Sequence, residues 1–212
     1  MLLYFSPLAC SMATRIALYE ANADATFVQV DGKTKRTRPD GDDFYAINPM
    51  GLVPTLRTDD NEIITENAAI LQYVAERFPA AQLAPADGIA RTRLSQWLSF
   101  IGTELHKATF GPLLDPQSND GAKAYALEKS GARFGRVEQH LTGRETLLEH
   151  FSVADAYLVT VLNWTRATPI DLSRWPALSA YSARLRQRPS VARALAEEGA
   201  LYAAEHPRVK AS

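Results

Sequence analysis

Hydrophobic and polar positions follow two different periods along the first part of the chain. "LLYF" is a continuous apolar run that stops at Ser6 and Pro7, the pattern of a short buried strand entering a turn. From Ser11 the spacing changes: Met12, Ile16, Tyr19 and Ala23 recur at helical intervals, with Arg15 and Glu20 left for the surface. "TFVQV" predicts a second strand, while "DGKTKRTRPDGDD" is polar and rich in breakers, and reads as a surface loop. "VPTLRTDDNEIIT" sets two strand-like pieces around an Asp-Asp-Asn turn, a hairpin. "TENAAILQYVAERF" then predicts an amphipathic helix with Thr65 as its N-cap. The order β-α-β followed by β-β-α implies a small sheet with helices packed on it.

After Phe78 the pattern changes again. "PAAQLAPADG" has no periodicity and reads as a linker, and beyond it the spacing predicts helices over 89–114, 121–141, 153–167, 176–187 and 191–201. Ser152 followed by Asp155 in "FSVADAYL" marks a capping box, with Phe151 placed for a hydrophobic staple. Trp175-Pro176 and Pro189-Ser190 open two later helices, and "AAEHPRVKAS" reads as a loosely held tail. The expected organisation is an α/β domain over residues 1–78, a linker over 79–88 and an all-α domain over 89–212.

Composition narrows the partners. The net charge of -1, from 23 basic and 24 acidic residues, gives no electrostatic footprint for nucleic acid or an anionic membrane. No window carries the apolar length of a membrane span, and "MLLYFSPLAC" lacks the basic start of a signal peptide, so a cytoplasmic protein is expected. Cys10 is the only cysteine, which excludes an internal disulfide, and no cysteine cluster suggests a metal. It stands where the first strand gives way to a helix. It is either a small buried hydrophobe or a thiol whose ionised form the helix N–H groups and dipole favour. On the helix after the linker, Ser99, Thr103 and His106 are spaced to share one face beside Trp97, Phe100 and Ile101, a polar strip suited to the wall of a cleft. His106 by itself reads as a proton-handling group or as a satisfied, partly buried histidine.

"SPLACSMATRIALYEA", "NPMGLVPTL", "ITENAAILQYVAERF" and "FSVADAYL" together resemble the cytosolic glutathione transferases, most closely their bacterial beta class. The resemblance covers nearly the whole chain, and Ala9-Cys10-Ser11, Val53-Pro54, Glu66-Asn67 and the segment from Glu104 to Lys107 carry it most specifically. It implies a thioredoxin-like N-terminal domain, an all-α C-terminal domain, a homodimer, glutathione as co-substrate with no other cofactor, and a small hydrophobic electrophile. Cys10 then matches the reactive cysteine of that class. Ser11 either donates its hydroxyl to a bound thiolate or serves only as helix cap. Pro54 matches a cis proline that turns the backbone of Val53 toward the cysteinyl part of glutathione. Glu66 and Asn67 would hold its γ-glutamyl end, although many members carry serine where Asn67 stands. Lys35, with Lys33 or Arg36 as alternatives, would reach its glycine carboxylate. His106 matches the histidine brought near the cysteine, Lys107 adjoins it as an anion contact, and Ser99 and Thr103 would line the same site.

His140, His150 and His206 have no matching role and are expected at the surface. Tyr157 and Trp164 are expected to be packing groups, with Trp164 able to edge the electrophile pocket. Two features depart from the family pattern: Glu149-His150 replaces a Gly-Asp pair, and "KATFGPLLDP" is irregular in spacing. The activity implied is conjugation of the glutathione thiol to hydrophobic electrophiles. The alternatives are glutathione-dependent thiol-disulfide exchange or peroxide reduction through a Cys10 mixed disulfide, and a non-catalytic ligand-binding member.

Overall fold

In the computed structural model, which describes residues 1–206, the chain divides into two units. Met1–Ala81 and residues 189–206 form one, and Gln82–Arg188 the other. The first contains β1 (Leu2–Phe5), α1 (Met12–Glu20), β2 (Thr26–Val30), β3 (Thr37–Arg38), β4 (Thr55–Arg57), β5 (Ile63–Thr65) and α2 (Asn67–Arg77). The sheet runs in the order β3-β2-β1-β4-β5. Central β1 lies parallel to β2, which α1 makes possible by crossing over, and antiparallel to β4; Leu3 stands between Phe27 and Leu56. Leu3, Tyr4 and Phe5 are all buried, which is why "LLYF" shows no alternation. This is the thioredoxin-like arrangement.

Three local expectations are corrected here. The polar loop contains an edge strand: the Asp31 carboxylate accepts the N–H groups of Lys33 and Thr34, each at 2.9 Å, and so folds the chain back until Thr37 pairs with Val30. Those donors and Arg38 hold the Asp31 carboxyl well below the usual carboxylate range. Thr65 closes β5 and does not cap α2; Glu66 occupies the N-cap position with φ +65°. Arg15 is not at the surface. It is 4% exposed, its guanidinium lies 4.1 and 4.2 Å from the ring centres of Phe5 and Phe27, and it pairs with Glu197 at 2.9 Å and Glu198 at 3.0 Å.

Those two glutamates belong to α8 (Pro189–Glu205), so the last helix joins the first unit rather than the all-α domain in which the sequence placed it. A helical pattern shows which face is apolar and gives no address for it. Ala203, Ala204 and Glu205 of the expected tail finish α8, and positions 207–212 lie outside the described residues.

The second unit holds α3 (Gly88–Phe100), a π-helical stretch (Ile101–Phe110), α4 (Gly111–Leu114), α5 (Asp120–Leu141), α6 (Val153–Asn163) and α7 (Pro176–Leu185). α6 is buried from Val153 to Leu162, apolar nearly all round, as a central helix must be. Asp155 near its start receives hydrogen bonds from the Ser152 N–H and hydroxyl, as the capping-box spacing predicted. The helix predicted over 89–114 is continuous but changes its winding at Ile101: the Gly111 N–H reaches back five residues to the His106 carbonyl. His140, expected at the surface, is half-buried, with Nε2 at 2.8 Å from the Leu147 carbonyl and its ring 4.6 Å from Trp97.

Candidate functional site

Cys10 stands half-buried immediately before α1. Its S–H donates to the Val53 carbonyl at 3.2 Å, and its own carbonyl accepts from Ala13 N–H and, at 2.9 Å, from the Asn67 amide. The Val53–Pro54 bond is cis, as the resemblance implied, but the carbonyl expected to face a ligand already receives the thiol. Asn67 is 7% exposed and also accepts from the Thr14 hydroxyl at 3.2 Å. Its side chain therefore ties α2 to the cysteine loop, and what it leaves toward solvent is backbone: the first N–H groups of a helix have no acceptor within it. Glu66, just before, is exposed and its side chain makes no capping bond. A non-glycine residue held at φ +65° is the kind of local strain that gathers at ligand sites.

Ser11 is placed differently from both expected roles. It is fully buried, caps nothing through its side chain, and exchanges hydrogen bonds of 3.3 Å with the N–H and carbonyl of Ser6. Among the basic residues of the polar loop, Arg36 bonds the Gly41 carbonyl at 2.8 Å, while Lys33 is exposed and Lys35 half-buried at φ +55°.

In the helical unit, Ser99, Thr103 and Lys107 are exposed, and the Thr103 hydroxyl bonds back to the Ser99 carbonyl at 3.0 Å. His106 is drawn inward instead. Its Nδ1 lies 2.7 Å from the Tyr157 hydroxyl and its ring 5.0 Å from that of Trp164. The wider π winding breaks the expectation of one shared face: Ser99 and Thr103, four apart, stay together at the surface, whereas seven residues of wider turns fall well short of two turns and leave His106 off that side. Burial, and after it the nearby Lys107 charge, push the His106 pKa down to about 4. The imidazole is therefore neutral at pH 7 and offers a hydrogen bond or a proton transfer, not a positive charge. Because the unfolded chain binds this proton near pH 6.5, the contribution is present above that pH and is lost as pH falls toward 4. Unfolding free energies from urea titrations at pH 7.5 and 4.5 test it. The gap between them should narrow by about 2 kcal/mol in H106Q, and an unchanged gap would disprove the depressed titration.

Sequence reasoning missed Asn48 and Tyr157 as site-builders. Buried Asn48 donates to the Leu52 carbonyl at 2.8 Å and to the Thr55 hydroxyl at 3.1 Å, and accepts from Met50, so it folds the loop that leads to Val53. The Asn-Pro dipeptide there was its signal. Gly51 completes the loop at φ +61°, where a Cβ would come within 2.6 Å of the Tyr45 ring.

A family model of the glutathione S-transferase N-terminal domain matches residues 9–77, and one of the C-terminal domain matches 103–189. The chain belongs to the glutathione S-transferase family. This transferase is 39% identical to glutathione S-transferase GstA of Escherichia coli O157:H7, over 94% of this chain and 99% of that one. Two solved structures extend the likeness. The ternary complex of BphK, a bacterial glutathione S-transferase, superposes with a TM-score of 0.90 at 45% identity, over 94% of this chain and all of that one. A bacterial beta class transferase from Sphingomonas chungbukensis gives 0.89 at 46%, over 94% and 99%. Among the described residues of this transferase no cluster of three potential metal ligands occurs, and no helix is long and apolar enough to cross a membrane.

Proposed function

We propose that this glutathione S-transferase holds glutathione on its first unit and couples the tripeptide's thiol to hydrophobic electrophiles. The observation that carries the reading is the convergence, within that unit, of Cys10, the Val53–Pro54 backbone and the start of α2. A sphingomonad glutathione S-transferase solved in complex with glutathione, 46% identical over 94% of this chain, supports it. The N–H groups opening α2 suit the γ-glutamyl carboxylate, and Glu66 suits its ammonium. Val53 offers backbone for pairing with the cysteinyl unit in the manner of an added strand, and Lys35 or Lys33 a cation for the glycine end. Pairing two copies would cover Tyr45, Met50 and Leu52, exposed large apolar residues of one loop region, which supports a homodimer.

The test is steady-state conjugation of reduced glutathione to 1-chloro-2,4-dinitrobenzene. Glu66→Ala is expected to raise the KM for glutathione about ten-fold and leave that for the electrophile unchanged, the loss of one ion pair of about 1.4 kcal/mol. Absence of glutathione-dependent conjugation with aryl halides and epoxides alike would defeat the reading.

A second chemistry rests on the placement of the only thiol. The Cys10 thiolate attacks the glutathione sulfur of a disulfide between glutathione and another thiol, forming a Cys10–glutathione mixed disulfide and releasing that thiol as its thiolate; a glutathione thiolate then attacks the glutathione sulfur of the mixed disulfide, which releases the Cys10 thiolate and forms oxidised glutathione.

A further inference from the structure

Ser6–Ala9 is a tight turn closed by the Ala9 N–H on the Ser6 carbonyl at 3.1 Å, with Pro7 second and Leu8 third. Leu8 has φ +59°. A positive φ at the third position of such a turn is normally supplied by glycine or asparagine, and a leucine there is strained. What opposes that strain comes from the last helix, α8. The Leu8 N–H donates to Oε2 of Glu198 at 2.7 Å, across a separation of 190 residues. Glu198 is fully buried on α8, and its Oε1 stands 3.0 Å from the Arg15 Nε. The N–H of Arg15 is not aligned on that oxygen, so the two groups act on each other as charges. Two residues beyond Leu8 is Cys10.

We propose that Glu198 is a positioning residue for Cys10, fixing the Ser6–Ala9 turn and through it the place at which the thiol is presented, a role that rests on reading Cys10 as part of the site. Arg15 in turn holds Glu198, which explains why a cation is buried between two aromatic rings beneath the cysteine loop. The groups facing the carboxylate are Arg15 from α1, the Leu8 N–H from the turn, and Glu197 beside it on α8, itself bonded to Tyr19 and Arg193. From the sheet, the rings of Phe5 and Phe27 lie against the Arg15 guanidinium. Burial outweighs the pull of Arg15 and raises the carboxyl to about 7, so the anchor changes charge in the range where thiols react.

Because Cys10 is the only cysteine, the rate of alkylation by iodoacetamide reads this thiol alone and needs no transferase turnover. A failure of the proposed function therefore leaves the test standing. Glu198→Leu is expected to change that rate at least five-fold, and Glu198→Gln, which keeps an acceptor for the Leu8 N–H, less than two-fold. In a Leu8→Gly background, where the turn no longer needs an anchor, the effect of Glu198→Leu should fall below two-fold. Should Glu198→Leu fail to fold, the pH–rate profiles decide: the wild type carries an inflection near pH 7 that E198Q lacks. A folded Glu198→Leu with unchanged alkylation, an equal effect in the Leu8→Gly background, or superimposable wild-type and E198Q profiles would overturn the assignment.

Discussion

Replacing Asp155 by alanine is expected to lower the stability of the helical unit by about 3–5 kcal/mol, among the largest effects of any single change in the chain. Asp155 is fully buried and accepts four hydrogen bonds: from the N–H groups of Leu147 and Ser152 at 2.9 Å, the Ser152 hydroxyl at 2.9 Å and the Tyr181 hydroxyl at 2.8 Å. Alanine strands all four donors away from water, and each stranded group costs roughly 1–3 kcal/mol before the site relaxes. Burial raises the carboxyl's pKa against the opposite pull of those donors. Asparagine keeps the volume but turns an amide donor toward at least one other donor, so Asp155→Asn should recover less than half of the loss. Urea unfolding followed by tryptophan fluorescence measures both variants. A loss below 1 kcal/mol in Asp155→Ala would show that water or neighbouring acceptors take over the four donors.

The second large effect is chemical. With Cys10→Ala, the adduct formed by oxidised glutathione should vanish from the intact mass, and thiol-disulfide exchange should fall at least a hundred-fold, since no other cysteine can replace it. Conjugation should persist within about ten-fold, because the nucleophile there is the thiol of glutathione and the Val53 carbonyl loses only its present donor. Exchange surviving in Cys10→Ala would remove Cys10 from that chemistry. Conjugation collapsing in parallel would place Cys10 in both reactions.

The sheet and most of the helices were legible because period and punctuation survive in the residues themselves. "LLYF" ends at a proline, the hairpin turns on Asp-Asp-Asn, and Ser152 with Asp155 announces its helix. Arg15 was misread for a physical reason: helical spacing identifies the apolar stripe, whereas a charge is buried only when partners distant in sequence arrive to meet it. Glu197 and Glu198 are such partners, and nothing local in "LAEEGAL" announces them. The same limit applies at the site. Cys10, Val53 and Asn67 were found through motif resemblance, and only coordinates reveal that they bond one another. The irregular run after Lys107 did carry a trace of the π winding. Ile101, Leu105, Thr109 and Phe110 are the buried positions of the π stretch, and the repeat of four from Ile101 to Thr109 drifts off one side of an α-helix.

Arg15 also sets an order of events during biosynthesis. Leu8 and Glu198 are separated by 190 residues, so a ribosome adding about 5–20 residues per second needs roughly 10–40 s between making the cysteine turn and making its anchor. Throughout that interval the sheet can assemble around a guanidinium that has aromatic walls and no counter-ion. Completing the first unit before α8 emerges would bury that guanidinium unpaired, so its final closure is expected to follow the synthesis of Glu197 and Glu198.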